Sequence, residues 1–309
     1  MTQSDPLQIL NSKQSVITIG SFDGVHLGHQ QLLRRVVEHA RQNGLQSVVV
    51  TFWPLPAIFF KRVPPRYTLT SPGERIELIK KTGVDRVITL EFNQDLASLD
   101  AGAFLHILKS HTGFSWMFTG PDFALGKDRL GDIAALRQIG TQMDFQVEVI
   151  TPQLEKNQLV SSSQIRQDLL AGRIRDANHK LGHRFMLPGK VIHGDNCGSK
   201  LGFPTANLEI APERLIPGNG VYVTRAWMTE SDHQAVTNIG VRPTFENPLP
   251  APRVEPHLLD LDRDLYDSEI TLEFLDFIRP EKKFSNVNKL IAQIKKDIRK
   301  TRKVFWDEK

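Results

Sequence analysis

"SVITIGSFDGVHLGHQQLLRRVVEHARQNG", residues 15–44, decides the fold of the first half of the chain. It opens with a short apolar, β-branched run over 15–20, which is typical of a buried strand. A helical segment follows and ends at Gly44, and its apolar stripe contains Leu32, Leu33, Val36, Val37 and Ala40. A strand that passes into an amphipathic helix through a glycine-bearing junction predicts the first unit of an α/β domain.

The alternation of strand and helix patterns continues to about residue 183. The segment 71–83 predicts a helix, because Ser71 and Glu74 form a capping box and Pro72 occupies the first helical position. Further apolar strands alternate with amphipathic helices, and we predict one last helix that runs from Ser163 to about residue 183. Strands that are almost continuously apolar predict a parallel sheet with helices on both faces.

The second half of the chain no longer shows the alternation of strand and helix patterns. Short β-rich runs are separated by clusters of Gly, Pro and Asn, which indicates an antiparallel barrel or sandwich, and a basic amphipathic helix closes the chain. We therefore predict two domains, residues 1–183 and residues 184–309.

Composition limits the class of protein. The 309 residues are 40% hydrophobic and 24% charged, with a formal net charge of +4, as in ordinary soluble proteins. A single cysteine, Cys197, excludes an internal disulfide and fits a reducing compartment. The apolar run over 48–60 is too short to span a bilayer. We expect a cytoplasmic protein with small-molecule partners and neither nucleic acid nor membrane as a partner; self-association stays open.

The junction between the first strand and helix contains His26 and His29. Ligands bind at the carboxyl ends of strands in open sheets, and a helix N-terminus favours phosphate. Gly24 and Gly28 would let backbone approach such a ligand closely. A zinc site lacks a convincing third ligand, the glycines do not fit G-x-G-x-x-G, and two purely structural histidines are the remaining alternative.

Two further motifs lie in the first half. "SSSQIR" (161–166) stands at a predicted helix start, where hydroxyls and an arginine suit a triphosphate, although serine runs at such positions are usually caps. "GPDFALGK" (120–127) does not fit the P-loop spacing, because five residues separate its glycines and Asp128 replaces Ser or Thr.

The second half contains "GDNCGSKLGFPTANL" (194–208). Thr205 and Asn207 share one face of an extended chain, and their neutral oxygens suit Mg²⁺ when phosphates complete the coordination. Glu255 lies in a strand pattern downstream. It is a general base if it faces the same cavity as Thr205, and an ordinary solvent-facing glutamate if it does not.

These motifs together resemble one family. "GSFDGVHLGH", "TFWPLP", "GPDFALGK", "SSSQIR", "LGFPTANL", "NIGVRPTF" and "VEPHLLDLDRDLY" are similar to motifs of the bifunctional prokaryotic riboflavin kinase/FAD synthetase family, from about residue 15 to the C-terminus. The resemblance implies a Rossmann-like nucleotidyltransferase domain with a parallel sheet, followed by a small antiparallel β-barrel riboflavin kinase domain with a terminal helix.

The resemblance also implies the chemistry and the site residues. The kinase would phosphorylate riboflavin from ATP with Mg²⁺, and the first domain would transfer AMP from ATP to FMN, which gives FAD and pyrophosphate. Glu255, His26 and His29 would be catalytic, and Thr205 and Asn207 would bind the metal. The residues that would bind nucleotide or flavin are Gly20, Phe22, Asp23, Gly28, Asp122, Ser162, Ser163, Arg166, Gly194, Lys200, Thr205 and Asn207.

Several positions depart from the family pattern. Ser199 replaces a usual arginine, Asp267 replaces a usual glycine, and Trp53 and Leu55 replace a charged and a polar residue near the expected flavin site. Pro256, which cannot donate to a strand ladder, predicts an edge or bulged strand. These departures motivate an alternative, an FMN adenylyltransferase with a degenerate kinase module. A flavin- or nucleotide-binding regulator that meets nucleic acid through the basic last helix is a third, weaker hypothesis.

Overall fold

A computed structural model describes residues 14–151, 160–193, 201–241 and 252–307. The chain divides into two compact units. Unit 1 comprises Met1–Pro65 and Thr70–Ser161, and unit 2 comprises Arg66–Leu69 and Ser162–Lys309. The predicted domain boundary at residue 183 stays a prediction; the compact units divide between Ser161 and Ser162.

Unit 1 alternates strands and helices as predicted. In chain order its elements are β1 Ser15–Ile19, α1 Leu27–Asn43, β2 Gln46–Trp53, α2 Pro56–Phe59, α3 Pro72–Lys80, β3 Arg86–Glu91, α4 Gln94–Ser98, α5 Ala101–Thr112, β4 Phe114–Thr119, α6 Ile133–Met143 and β5 Gln146–Val149. All strand pairs are parallel, in the order β3-β2-β1-β4-β5. The strand order reverses between β1 and β4, which is where open sheets of this type bind ligands.

Helices cover both faces of this sheet. Ile17 and Ile19 of β1 pack in a core with Phe104 and Leu105 of α5, whereas Val16 packs on the opposite face with α1. This distribution follows from the two-residue period of a strand. The capping box at the start of α3 is confirmed, since the Ser71 side chain accepts from the Glu74 N–H and the Glu74 side chain accepts from the Ser71 N–H.

Unit 2 is built around a closed barrel. Its elements are α7 Ser162–Leu170, α8 Ile174–Leu181, β6 Phe185–Ile192, β7 Asn207–Glu209, β8 Gly220–Trp227, β9 Asp232–Gly240, β10 Arg253–Leu258, β11 Glu269–Arg279 and α9 Val287–Asp307. The strands pair antiparallel in the closed order β10-β7-β6-β11-β8-β9. The predicted barrel and terminal helix are therefore confirmed.

Two local predictions are wrong. The single helix predicted from Ser163 to about 183 is two helices, α7 and α8, because Gly172 adopts a left-handed conformation (φ 73°) between them. The Asn178 side chain then ties α8 to the barrel, since it donates to the Phe274 carbonyl (2.8 Å) and accepts from the Phe185 N–H (2.8 Å).

The second correction concerns Pro256. The strand β10 is neither an edge nor bulged, because it pairs with β9 in unbroken register and with β7 on its other side. Proline is tolerated because the contact with β7 is short and uses the Pro256 carbonyl, which accepts from the Ala206 N–H at 3.0 Å.

Candidate active sites

The loop after β1 brings His26 and His29 together at the start of α1. His26 is the N-cap residue, and its Nδ1 accepts from the His29 backbone N–H at 3.4 Å. The two imidazole rings stack, with centroids 3.7 Å apart and an interplanar angle of 17°. His26 is buried and His29 is half-buried. The pair therefore stands at the positive end of a helix, a position that favours phosphate binding.

The backbone of this loop is strained. Phe22, Gly24 and Val25 have φ angles of 46°, 80° and 38°, in the left-handed region that non-glycine residues rarely adopt. The buried Phe22 ring meets the His29 ring edge-on, with centroids 5.2 Å apart. A side chain at Gly28 would place its Cβ 3.2 Å from Cε1 of His26. Strain of this kind persists only where surrounding contacts hold it, and it is common at functional sites.

Asp23 lies inside unit 1 rather than at the loop surface. It is 2% exposed, and its Oδ1 accepts from the backbone N–H and the hydroxyl of Thr70, both at 3.1 Å. Arg75, which is 1% exposed, places Nη2 3.8 Å from the same oxygen. Arg75 was not among the residues predicted from the sequence, because 52 positions separate it from Asp23.

A cavity of about 720 Å³ opens at the carboxyl ends of the sheet strands in unit 1. Its walls come from the ends of β1 and β2, from the segments after β3 and β4, and from α4. The aromatic lining consists of Phe52, Phe60, Phe92, Phe104 and Phe123. The predicted residues Gly20 and Asp122 also line it, as does Leu125. Such an apolar cavity with a few polar groups is suited to a flat aromatic ligand.

Trp53 and Leu55, which were expected near a flavin site, are not among the residues that line this cavity. Leu55 is buried at the start of α2, and the Trp53 ring faces the Arg75 guanidinium at 5.8 Å.

The "SSSQIR" motif crosses the division between the two units. Ser161 belongs to unit 1, and Ser162, Ser163 and Arg166 belong to α7 in unit 2. Arg166 is 7% exposed; its Nε donates to the Tyr67 carbonyl at 2.8 Å, and its guanidinium lies 3.6 Å from the Tyr67 ring centroid. The guanidinium is thus held in place by stacking, which is a common way of presenting arginine to anions.

In unit 2, a cavity of about 390 Å³ brings Thr205, Asn207 and Glu255 together. It lies between the outer face of the barrel and α9, which contributes Leu290, Ile294 and Asp297. Glu255 and its neighbour His257 face this cavity, and they alternate with the buried residues of β10. The sequence left open whether Glu255 faces solvent or the same cavity as Thr205, and the structure places it in that cavity.

The same cavity contains an ion pair that the sequence analysis missed. The Arg279 Nε and Nη2 donate to Oδ2 of Asp297 at 3.0 and 2.8 Å, and Gln293 donates to Oδ1 at 2.8 Å. Asp297 is 2% exposed. One signal was available: Asp297 is an acidic residue on the stripe of α9 that also carries Leu290, Ile294, Thr301 and Phe305, on a helix that is otherwise rich in lysine and arginine.

The predicted residues Gly194 and Lys200, together with Ser199, lie outside the described residues.

Comparison with known proteins assigns both halves. The family model for FAD synthetase matches residues 8–164, and the family model for riboflavin kinase matches residues 181–305. A bifunctional riboflavin kinase/FMN adenylyltransferase from Pseudomonas fluorescens is 39% identical over 291 residues, which cover 92% of this chain and 90% of that protein. One from Buchnera aphidicola (subsp. Schizaphis graminum) is 36% identical over 303 residues, 97% of this chain and 96% of its own length.

The chain belongs to the bifunctional riboflavin kinase/FMN adenylyltransferase family. The predicted family, and the predicted combination of a FAD synthetase half with a riboflavin kinase half, are confirmed. The adenylyltransferase-only alternative is not favoured, because the riboflavin kinase match covers the whole barrel and most of the terminal helix.

A solved structure has the same fold as this family member over almost the whole chain. It is described as a macrolide-efflux protein from Streptococcus pneumoniae; it is 31% identical, has a TM-score of 0.87 and covers 96% of both chains. Among the residues that our structure describes, no helix combines the length and apolar character needed to cross a bilayer.

Asp267 stands where the resemblance implies a glycine, and its backbone conformation is one that favours glycine. Asp267 adopts a left-handed backbone conformation (φ 63°), which glycine takes without strain and aspartate tolerates better than most residues. Its side chain pairs with Lys190 at 2.7 Å on the surface. The hydrogen bond and charge of Lys190 hold the pKa of Asp267 below its usual value. Asp267 is exposed and is not among the residues that line the cavity with Thr205, Asn207 and Glu255.

Proposed function

We propose that unit 2 phosphorylates riboflavin to FMN and that unit 1 transfers AMP to FMN to form FAD. The observation that carries this proposal is the convergence of Thr205, Asn207 and Glu255 on one cavity of the barrel. A phosphoryl acceptor needs a base and a phosphate-metal site within reach of each other, and strand order in a closed barrel is what allows these distant residues to meet.

In the kinase step, Glu255 acts as the general base. Its carboxylate takes the proton of the riboflavin 5′-hydroxyl while the oxygen attacks the γ-phosphorus of ATP. The bond between that phosphorus and the bridging oxygen breaks, and ADP leaves with the electron pair. A positioned base of this kind contributes roughly 10²- to 10⁴-fold to the rate.

Thr205 and Asn207 fit a Mg²⁺ that arrives with ATP. Both present neutral oxygen atoms to the cavity, and Mg²⁺ keeps part of its shell from phosphates and water. Within the described ranges no group of three or more His, Cys, Asp or Glu side chains could hold a metal by itself. The donor set therefore suits a substrate-borne ion better than a resident one. When bound, the metal would neutralise charge on the ATP phosphates.

In the adenylyl step, the FMN phosphate attacks the α-phosphorus of ATP, and pyrophosphate leaves. His26 and His29 donate hydrogen bonds to the phosphate oxygens as charge accumulates on them, and the N-terminus of α1 adds its partial positive charge. This chemistry needs no covalent intermediate, because positioning and charge stabilisation supply the acceleration.

The aromatic cavity of unit 1 is the proposed site of the FMN ring system. Its five phenylalanines offer faces and edges for stacking. Gly20 also lines the cavity, and its missing Cβ leaves space for the Phe22 ring, which would lie 3.1 Å from such an atom. ATP, riboflavin and FMN are the small-molecule partners in this proposal. A cytoplasmic location and self-association stay predictions.

The test is a time course with purified protein, riboflavin, ATP and Mg²⁺, in which the flavins are separated by chromatography. We expect FMN first and FAD after it. Glu255→Ala should abolish FMN formation from riboflavin, while FAD formation from added FMN persists. Equal loss of both activities would contradict two separate sites, and absence of both products from the wild-type protein would refute the proposed function.

A further inference from the structure

A buried polar network holds the loop that carries the histidine pair. Asp23, Thr70 and Arg75 are 2%, 4% and 1% exposed. The Thr70 hydroxyl occupies the centre of the network: it donates to Asp23 at 3.1 Å, accepts from the Gly24 N–H at 3.2 Å, and lies 3.5 Å from Nε of Arg75. The loop is therefore bonded at two consecutive residues, Asp23 and Gly24.

The same guanidinium also reaches the wall of the aromatic cavity. Nη1 of Arg75 donates to the Phe52 carbonyl at 3.1 Å, and Nη2 donates to the Thr70 carbonyl at 3.4 Å. Phe52 lies near the end of β2, and its ring lines the cavity. One planar side chain thus connects the backbone of the histidine loop with the backbone behind the cavity wall.

The conformation of the loop gives this connection a consequence. Phe22, Gly24 and Val25 have left-handed backbone angles, which surrounding contacts must maintain. Asp23 and Gly24, the residues bonded to the network, lie within this strained stretch, and Phe22 contacts the His29 ring. A displacement of Asp23 and Gly24 would therefore displace His26, which lies two or three residues further along this strained segment. It would also displace His29, through the contact of that ring with Phe22.

We propose that Arg75 is a positioning residue for adenylyl transfer, which fixes the histidine loop relative to the cavity wall at Phe52. This inference rests on the proposed function of unit 1. Arginine suits the role because its rigid fork can serve Asp23, Thr70 and Phe52 in one plane. Lysine would keep the positive charge next to Asp23, but a single ammonium group cannot span these partners. Charge and geometry can therefore be separated by mutation.

The first experiment measures FAD formation from FMN and FMN formation from riboflavin in the same samples. Arg75→Lys should lower kcat for FAD formation by about 10- to 100-fold, because a displacement near 1 Å at reacting groups costs on the order of 10²-fold. Riboflavin phosphorylation should stay within about twofold, since the change lies in unit 1. Arg35→Lys, the same substitution on the exposed face of α1, is the matched control and should alter neither rate.

The second experiment separates positioning from simple stability. Arg75→Met and Asp23→Asn each leave a buried group without its charged partner, so each should lower the melting temperature. The double variant Asp23→Asn/Arg75→Met removes both charges and should recover much of that loss. It should not recover FAD formation, because the fork is still absent.

Three results would overturn this inference. The first is a wild-type rate of FAD formation in Arg75→Lys, and the second is recovery of FAD formation together with melting temperature in the double variant. The third is a wild-type protein that makes no FAD from FMN, which would refute the proposed function as well. In the first two cases the wild-type protein still makes FAD, so failure of the role inferred for Arg75 can be distinguished from failure of the proposed function.

Discussion

Removal of the Asp297 carboxylate provides a quantitative test of the kinase site. In the wild-type protein Oδ2 of this buried group accepts from Nε and Nη2 of Arg279 at 3.0 and 2.8 Å, and Oδ1 accepts from Gln293 at 2.8 Å and from Nε of Arg279 at 3.3 Å. Asp297→Ala leaves the Arg279 guanidinium, whose side chain is 13% exposed, without its counter-charge. Breaking a buried pair from one side typically costs 3–5 kcal/mol, and we expect about 3 kcal/mol because Arg279 borders a cavity that water can enter.

This cost should appear in unit 2 alone. For a unit of about 150 residues, roughly 3 kcal/mol corresponds to a fall in melting temperature of about 6–12 °C. The assay heats wild-type and variant protein stepwise and follows FMN formation from riboflavin, which the variant should lose at a temperature lower by that amount. Asp297→Asn keeps the shape of the side chain and the bond from Gln293, so its melting temperature should lie between those of the wild-type protein and Asp297→Ala. A melting temperature unchanged in Asp297→Ala would refute the reasoning.

Three further changes test other parts of the structure. Thr205→Val removes a hydroxyl at nearly constant volume and should raise the kinase KM for Mg-ATP at least about tenfold, with FAD formation from FMN unchanged; equal KM values would exclude Thr205 from the metal site. Gly28→Ala brings a Cβ to 3.2 Å from His26 and should lower FAD formation about tenfold without a large stability change, since alanine favours the helix; normal FAD formation would contradict the placement of His26. Asp267→Gly relieves a left-handed residue but loses the pair with Lys190. Because the pKa of Asp267 is lowered in the folded protein, the pair stabilises above the unfolded-state pKa, and its contribution is lost as pH falls through the folded-state pKa. The melting temperature of the variant relative to wild type should therefore be higher at pH 3 than at pH 7, and a pH-independent difference would contradict this account.

Much of the local structure could be predicted because its causes are local. The apolar run of β1, the stripe of α1 and the capping box at Ser71 are determined by residues within a few positions of each other. The histidine pair could also be placed in advance, since His26 and His29 fall in the first turn of a helix whose start the sequence marks. The helix prediction failed at Gly172, because a glycine within a helical pattern is often tolerated and tertiary contacts decide whether the helix breaks there.

Local sequence patterns did not determine the closure of the barrel or the orientation of Glu255. Periodicity indicates short strands, but a barrel and a sandwich have the same alternation, and only the pairing of β10 with both β7 and β9 closes the sheet. That closure makes Pro256 an interior strand residue and places Glu255 in the cavity with Thr205, 50 positions away. A one-residue change of register would have turned the carboxylate to the opposite face.

The amino-acid sequence by itself determined the two-part organisation, the parallel α/β unit, the helix start at the histidine pair and the family. The tertiary structure alone decided which distant charges meet: Asp23 with Arg75, and Arg279 with Asp297. The reason is physical. Helices, strands and caps are stabilised by neighbours along the chain, whereas a buried charge is stabilised by whichever opposite charge the packing brings to it, and no period in the sequence encodes that encounter.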